Sequence, residues 1–330
     1  MNRRLVVFAA VVAASLAAFL LLAGARDATR PGATLVASIH PLADIVRNVA
    51  GPRFTVDCLL PSGASPHTFE PTARQIEMLS KARLFFQIGL DLELWASRLL
   101  EAASLERARV VTVSEGIEPL RFGEGRVRKG LGRGESASET DDDRAGHEED
   151  EEHDGHEHGL YDPHVWLDPV LALAIVGNVE KALCAADAEG AAGYAERASS
   201  YREKLRALDA EFREALSRAG GRFVTFHNAY AYLARRYGLE IVGVVEESPG
   251  KEPGARRIAG LVRAARERGA AAILVEPQFS PRSAEAIARD AGVRVAVVDP
   301  LGDPADPRRA TYLELMRFNL RALVGAGGEP

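Results

Sequence analysis

Short β-rich runs alternate with helical runs in two separate parts of this 330-residue chain, and this alternation limits the fold more than any other feature. Between Thr34 and Gly116 the order is βαβαβαβ, with runs such as LVASIH and LFFQIG as strands. The alternation resumes at Arg222, with RFVTF, LEIVGVV, AAILVEP and VRVAVVDP as strands. Parallel strands need helical crossovers, so each part predicts a parallel sheet flanked by helices.

A long amphipathic helix is predicted between the two parts. Its apolar residues recur three or four positions apart: Tyr194, Ala198, Tyr201, Leu205, Leu208, Phe212 and Leu216. A helix of about thirty residues is ~45 Å long and suits a rigid strut between two lobes, although an ordinary packed surface helix has the same periodicity. The predicted fold is therefore α/β, with two lobes, each a parallel sheet flanked by helices, and a long connecting helix. Its predicted parts are an N-terminal lobe (33–187), a connecting helix (188–220) and a C-terminal lobe (221–330).

The N-terminus has the pattern of an export signal. Arg3 and Arg4 precede an apolar run from Leu5 to Ala23, and small residues up to Ala25 form a cleavage site. We expect residues 1–25 to be a cleavable signal peptide and the mature chain to be exported. The alternative is a retained N-terminal membrane anchor, because the apolar run is long.

Residues 121–159 are predicted to be a disordered acidic, histidine-rich insertion in the N-terminal lobe. Between Asp141 and His158 there are ten acidic residues and one arginine, a local charge of −9 in a chain of net charge −6. With no basic patch elsewhere, nucleic-acid binding is not expected. Four histidines in this segment are candidate low-affinity zinc ligands that could collect metal: His147, His153, His156 and His158. The competing interpretation is a solvated acidic linker with incidental histidines.

Candidate metal ligands also occur in the ordered sequence, close to predicted strand ends. In doubly wound sheets, ligands bind just beyond the carboxyl ends of the strands. His67 lies in a strand-to-helix loop, His164 lies in DPHVWLDP, and His227 and Asp299 each end a predicted strand. Taken singly, each could be an ordinary loop, turn or capping residue. Their shared location nevertheless predicts a metal site between the lobes.

Other polar residues in the ordered sequence have simpler interpretations. Asp162 and Asp168 each precede a proline and are expected to be turn and cap residues. His40 also ends a predicted strand and competes with the other three histidines. Cys58 and Cys184 could pair once in an oxidising compartment or remain buried free thiols.

Four separated motifs carry a family resemblance. They are SGASPHTFEPTARQIEMLSKARLFFQIGLDLELW, DPHVWLDP, FVTFHNAYAYLARRYGL and ILVEPQFSPRSAEAIARDAGVRVAVVDPLG, with the acidic tract just before the second. Together they resemble the periplasmic zinc-binding proteins of high-affinity zinc ABC importers, in cluster A-I of the substrate-binding proteins. The resemblance covers essentially all of the mature chain. It implies two lobes tied by a rigid helix, no enzymatic activity, and partnership with a membrane permease and its ATPase; we expect a monomer.

The resemblance also implies which residues hold the metal. By position, His67, His164 and His227 would be ligands, whereas His40 falls where the family has none. Related manganese and iron binders have a carboxylate at the position of Asp299, which makes it the expected fourth ligand, with Glu276 as runner-up. Three imidazoles and at most one carboxylate favour Zn²⁺, since manganese prefers more oxygen ligands.

Three other functions share parts of this pattern. The first is a manganese- or iron-binding protein of the same transporter family. The second is an exported zinc hydrolase with Glu276 as base, which the lack of a compact HExxH motif disfavours. The third is a surface adhesin of the same fold, whose partner binding would survive metal removal.

Overall fold

The computed structural model describes residues 33–104, 109–122, 159–219, 221–246 and 254–327. The predicted signal peptide lies outside these residues. So do the four predicted accessory histidines and all of the predicted insertion except its ends. Those ends meet, since Arg121 and Tyr161 form an antiparallel bridge.

The first lobe is built on a four-stranded parallel sheet. Its strands are β1 (Thr34–Ala37), β2 (Thr55–Cys58), β3 (Leu84–Gln87) and β4 (Val110–Thr112), in the order β2-β1-β3-β4. The helices of this region are α1 (His40–Ala50), α2 (Ala73–Ser80) and α3 (Ala96–Ala102). The strand preceding His40 is shorter than predicted: β1 ends at Ala37, and His40 is the first residue of α1.

Two long helices follow the insertion. α4 (Pro169–Ala186) is preceded by its N-cap residue Asp168, whose carboxylate accepts hydrogen bonds from the backbone N–H groups of Val170 and Leu171. This confirms Asp168 as a cap residue. α4 is long and apolar enough to cross a membrane by length and composition, but the described residues place one face of it in the protein core. α5 (Ala191–Ala219) is the predicted long helix, about 44 Å in length, and all seven residues of its predicted apolar stripe are buried.

The second lobe repeats the first architecture. Its strands are β5 (Arg222–His227), β6 (Glu240–Glu246), β7 (Ala272–Val275) and β8 (Arg294–Val297), all parallel in the order β6-β5-β7-β8. Its helices are α6 (Ala231–Tyr237), α7 (Ala255–Glu267), α8 (Pro281–Ala291) and α9 (Tyr312–Gly327). The fold predicted from the sequence is confirmed: two parallel-sheet lobes are linked by one long helix.

The two lobes share one apolar core, which the sequence did not indicate. The largest buried cluster includes Ile45 of α1, Trp166, Phe212 of α5, Phe223 of β5 and Met316 of α9. Smaller clusters fill the outer side of each sheet. Because separating the lobes would expose the shared core to water, the lobes are held in a fixed relation.

Hydrogen bonds between the lobes reinforce this shared core. The Trp166 indole N–H donates to the Pro300 carbonyl (2.7 Å), and the Tyr312 hydroxyl donates to the Trp166 carbonyl (2.6 Å). The backbone N–H of Tyr312 donates to the buried Asp44 carboxylate (2.9 Å). α9 therefore contacts the first lobe as well as closing the second.

The two cysteines are both free. The alternative of a Cys58–Cys184 disulfide is wrong for this structure. Burial raises the pKa of the Cys58 thiol to about 11, so it stays protonated at neutral pH and is a poor nucleophile.

Candidate metal centre

Three histidines from three distant parts of the chain meet in the cleft between the lobes. His67 lies in the loop from β2 to α2, His164 lies just before α4, and His227 is the last residue of β5. The Nε2 atom of His164 is 3.3 Å from that of His67 and 3.2 Å from that of His227. One ligand atom from each of the three lies within 4.8 Å of the others, and within the described residues this is the one group of its kind.

These separations match a specific coordination geometry. Zinc binds imidazole nitrogen at about 2.0–2.1 Å and prefers a tetrahedron, in which two nitrogen ligands are about 3.3 Å apart. The two Nε2–Nε2 distances at His164 have this value. The spacing of His164 to each of the other two imidazoles is therefore compatible with a tetrahedral metal site, and all three ligand atoms lie within 4.8 Å of one another.

A buried carboxylate orients His164. The Oδ1 atom of Asp162 is 2.7 Å from the ring Nδ1 of His164 and accepts a hydrogen bond from its backbone N–H at 2.9 Å. Both side chains are almost fully buried, at 1% and 2% exposure. A proton on Nδ1, next to the carboxylate, leaves the Nε2 lone pair directed at the other histidines.

A second carboxylate holds His227 in the same way. Both oxygens of Glu276, the residue directly after β7, lie 2.9 Å from the His227 Nδ1. Both side chains are buried. The strand pairing places β5 beside β7, so the fold brings this acid to this imidazole. Carboxylate–histidine pairs of this kind are the usual support of histidine ligands to zinc.

The protonation behaviour of the cluster favours a bound cation. Burial lowers the pKa of His164 well below its usual value, and the nearby His227 lowers it further. Burial alone would lower the pKa of His227, but the surrounding carboxylates, Glu276 first, together outweigh burial and raise it. With Nδ1 of each ring beside a carboxylate, the 3.2 Å contact between the Nε2 atoms of His164 and His227 needs a cation between them, which a shared proton or a metal ion can supply.

The predicted fourth ligand, Asp299, lies outside the three-histidine group. It follows β8 by two residues and is fully buried. Its carboxylate pairs with the Arg309 guanidinium and accepts from the Leu301 N–H (2.9 Å) and the Gln278 amide (3.3 Å). The next two residues, Pro300 and Leu301, line the cleft, but the Asp299 oxygens accept hydrogen bonds from protein donors. Its role as a ligand stays a prediction.

Sequence reasoning did not identify Asp162 and Glu276 as the carboxylate partners of the histidines. Asp162, interpreted as a turn residue, is the partner of His164, and the Asp-x-His spacing is the signal that could have shown this. Glu276 was considered as a ligand or a base, and in this structure both its oxygens face His227. His40 lies elsewhere, with its Nε2 2.9 Å from the Ala310 carbonyl oxygen.

The fold and the site together define a two-lobed α/β protein with a candidate metal site between the lobes. The sequence profile of the family "Zinc-uptake complex component A periplasmic" (ZnuA) matches residues 35–326. The chain belongs to this family.

Named relatives agree with this assignment. The chain is 31% identical to the zinc-binding lipoprotein AdcA of Streptococcus pneumoniae over 94% of its own length, but it spans only 59% of AdcA. It is 29% identical to the high-affinity zinc uptake system protein ZnuA of Bacillus subtilis, over 93% of this chain and 94% of that one. A crystal structure of ZnuA superposes with a TM-score of 0.73 at 25% identity, covering 90% of this chain and all of the other.

Proposed function

We propose that this chain is an extracytoplasmic zinc-binding protein that captures Zn²⁺ between its lobes. In this proposal the protein delivers the ion to the membrane permease of an ABC importer, and the ATPase of the importer drives transport. The observation that carries the proposal is the convergence of the three Nε2 atoms at 3.2 and 3.3 Å, backed by buried carboxylates. The names of the relatives supply the transport context.

We propose His67, His164 and His227 as metal ligands, with Asp299 as the fourth ligand and Glu276 as the runner-up. An all-imidazole set favours zinc over manganese or iron, which take more oxygen ligands. For Asp299 to complete the set, its carboxylate must leave Arg309; for Glu276 to do so, it must leave His227. If Asp299 stays paired with Arg309, Asp299→Asn should change zinc affinity by less than about threefold, and if Glu276 stays paired with His227, Glu276→Gln should weaken it about tenfold. A loss beyond about a hundredfold in either variant would identify that residue as the fourth ligand.

A carrier also fits this site better than a hydrolase. A zinc hydrolase keeps a metal-bound water next to a free general base. The nearest candidate base, Glu276, directs both oxygens at His227 instead. Zinc-dependent turnover in a hydrolase screen that His67→Ala abolishes would overturn the carrier proposal.

The exported location and the accessory tract complete the proposal. The N-terminal run from Leu5 to Ala23 and the periplasmic family support export, with the mature chain acting as a periplasmic monomer. The histidines between His147 and His158 would collect zinc weakly and pass it to the cleft. These segments lie outside the described residues, so the sequence alone supports this part.

Calorimetric zinc titration of the mature protein tests the whole proposal. We expect one tight site in the mature protein, and the same tight site after deletion of residues 135–158. His164→Ala should lose most of the tight binding, because it removes the imidazole that both other rings face. A deletion variant without a tight site would show that the tract, and not the cleft, binds the metal.

A further inference from the structure

The shared core limits how a metal ion can leave the cleft. Opening the lobes as rigid bodies would expose buried residues of α1, α5 and β5 together. A local movement of one ligand-bearing segment exposes far less apolar surface. His164 and His227 are fixed by buried carboxylates on well-packed segments, whereas His67 lies on the loop 61–72, where most residues are partly or fully exposed.

Trp95 contacts this loop on both sides of His67. Its indole N–H donates to the carbonyl of Pro66, the residue before His67, at 2.9 Å. Its ring meets Phe69, two residues after His67, edge to face, with centroids 5.0 Å apart and planes at 82°. A single side chain thus restrains the backbone on either side of one metal-ligand candidate.

An unusual turn places Trp95 at this position. Three consecutive residues after β3 have left-handed backbone conformations: Gly89 (φ 83°), Leu90 (φ 54°) and Asp91 (φ 61°). The buried Glu93 carboxylate accepts hydrogen bonds from the N–H groups of Ile88 (2.8 Å) and Gly89 (3.0 Å) and so stabilises the turn. Such conformations are retained where the surrounding structure requires them, often at functional sites. Here the turn leads directly into Trp95 at the start of α3.

We propose that Trp95 is a positioning residue for His67 and that it sets how fast zinc leaves the cleft. The proposal rests on the zinc-binding function proposed above. With Trp95 in place, the loop 61–72 holds the His67 imidazole at the metal. When the contact to Pro66 breaks, the loop can carry His67 away while His164 and His227 keep their positions.

Trp95→Phe tests this proposal, because phenylalanine keeps an aromatic ring against Phe69 and removes only the indole N–H. Stopped-flow release of zinc to a chelator should be about fivefold faster, as expected for the loss of one neutral hydrogen bond from the bound state. The melting temperature of the metal-free protein should change little. Tyr237→Phe is the matched control: it removes one hydrogen bond of an aromatic side chain, to Asp209, outside the residues that line the cleft, and should leave zinc release unchanged.

A double-mutant cycle with His67→Ala separates positioning from a general structural role. If Trp95 acts through His67, Trp95→Phe should have no further effect on zinc affinity in the His67→Ala background. An equal loss of affinity in both backgrounds, or unchanged release in the single variant, would overturn the proposal. If Trp95→Phe does not fold, Phe69→Leu can replace it in the same double-mutant cycle with His67→Ala. Phe69→Leu weakens the other contact of the indole, so the same comparison of zinc affinities tests the proposal.

A wild-type protein without tight zinc binding would instead refute the proposed function. The two failures are therefore distinguishable in one set of titrations.

Discussion

Replacing Asp162 with asparagine changes one atom of the site and tests how the cluster is built. The buried Oδ1 of Asp162 accepts from the ring Nδ1 of His164 at 2.7 Å and from its backbone N–H at 2.9 Å. Asparagine keeps an acceptor of the same shape at this position but removes the negative charge. The substitution therefore leaves His164 oriented and weakens only the electrostatic support of its imidazole.

The expected magnitude follows from the kind of hydrogen bond lost. A hydrogen bond to a charged group is worth about 1.5–3 kcal/mol and a neutral one about 0.5–1.5 kcal/mol. The midpoints of these ranges differ by about 1.25 kcal/mol, close to the ~1.4 kcal/mol that corresponds to a tenfold change in an equilibrium constant. The second oxygen of Asp162 is buried without a hydrogen-bond partner. An amide group there would destabilise the metal-free and the metal-bound protein equally, so it would not change the zinc affinity. We therefore expect Asp162→Asn to weaken zinc binding about tenfold.

Competition titration against a zinc chelator of known affinity measures this change. Asp44→Asn is the matched control, because Asp44 is also a buried carboxylate that accepts a backbone hydrogen bond, from Tyr312. Asp44 lies outside the histidine cluster, so the zinc affinity of the Asp44→Asn variant should equal that of the wild type even if the variant is less stable. Zinc affinity of Asp162→Asn within about twofold of the wild type, with His164 still required for binding, would refute the role of the carboxylate.

Two further perturbations test the site and the scaffold. Zinc affinity should fall about tenfold or more per pH unit below about pH 7, because the ion must displace bound protons. Burial lowers the pKa of His227, but the carboxylates around it, Glu276 first, raise that pKa above its usual value, so the imidazole holds a proton in the acidic range that zinc must displace. Calorimetry in buffers of different ionisation enthalpy would count the released protons, and an affinity independent of pH across that range would contradict this. Phe212→Ala should lower the free energy of unfolding by about 3–5 kcal/mol, because this fully buried ring packs α5 against the shared core. Chemical denaturation measures this loss of stability. A loss below about 1 kcal/mol would contradict the packing of Phe212 in the core.

Much of the architecture could be predicted from local patterns. The alternation of strands and helices indicated parallel sheets, and the spacing from Tyr194 to Leu216 identified the buried face of α5. These predictions succeeded because they depend on periodicity within one element, and burial of one face is decided along the chain. The same reasoning put His227 at a strand end, where the structure has it.

The partners of each side chain could not be predicted in this way. Nothing in the sequence near residue 299 shows that Asp299 pairs with Arg309, or that the Glu276 carboxylate faces His227 and not open solvent. Such choices depend on which loops meet after folding and on which charge is nearest once water is excluded.

The sequence by itself determined the two parallel-sheet lobes, the long helix between them, and the three imidazoles available for metal. These properties are local, because they follow from hydrophobic period and residue type. Only the tertiary structure decided that the lobes share one core and that buried Asp162 and Glu276 orient the imidazoles of His164 and His227. It also decided that Trp95 contacts the loop that bears His67. Each of these joins residues distant in the chain, and their contacts arise from packing and desolvation that no single segment encodes.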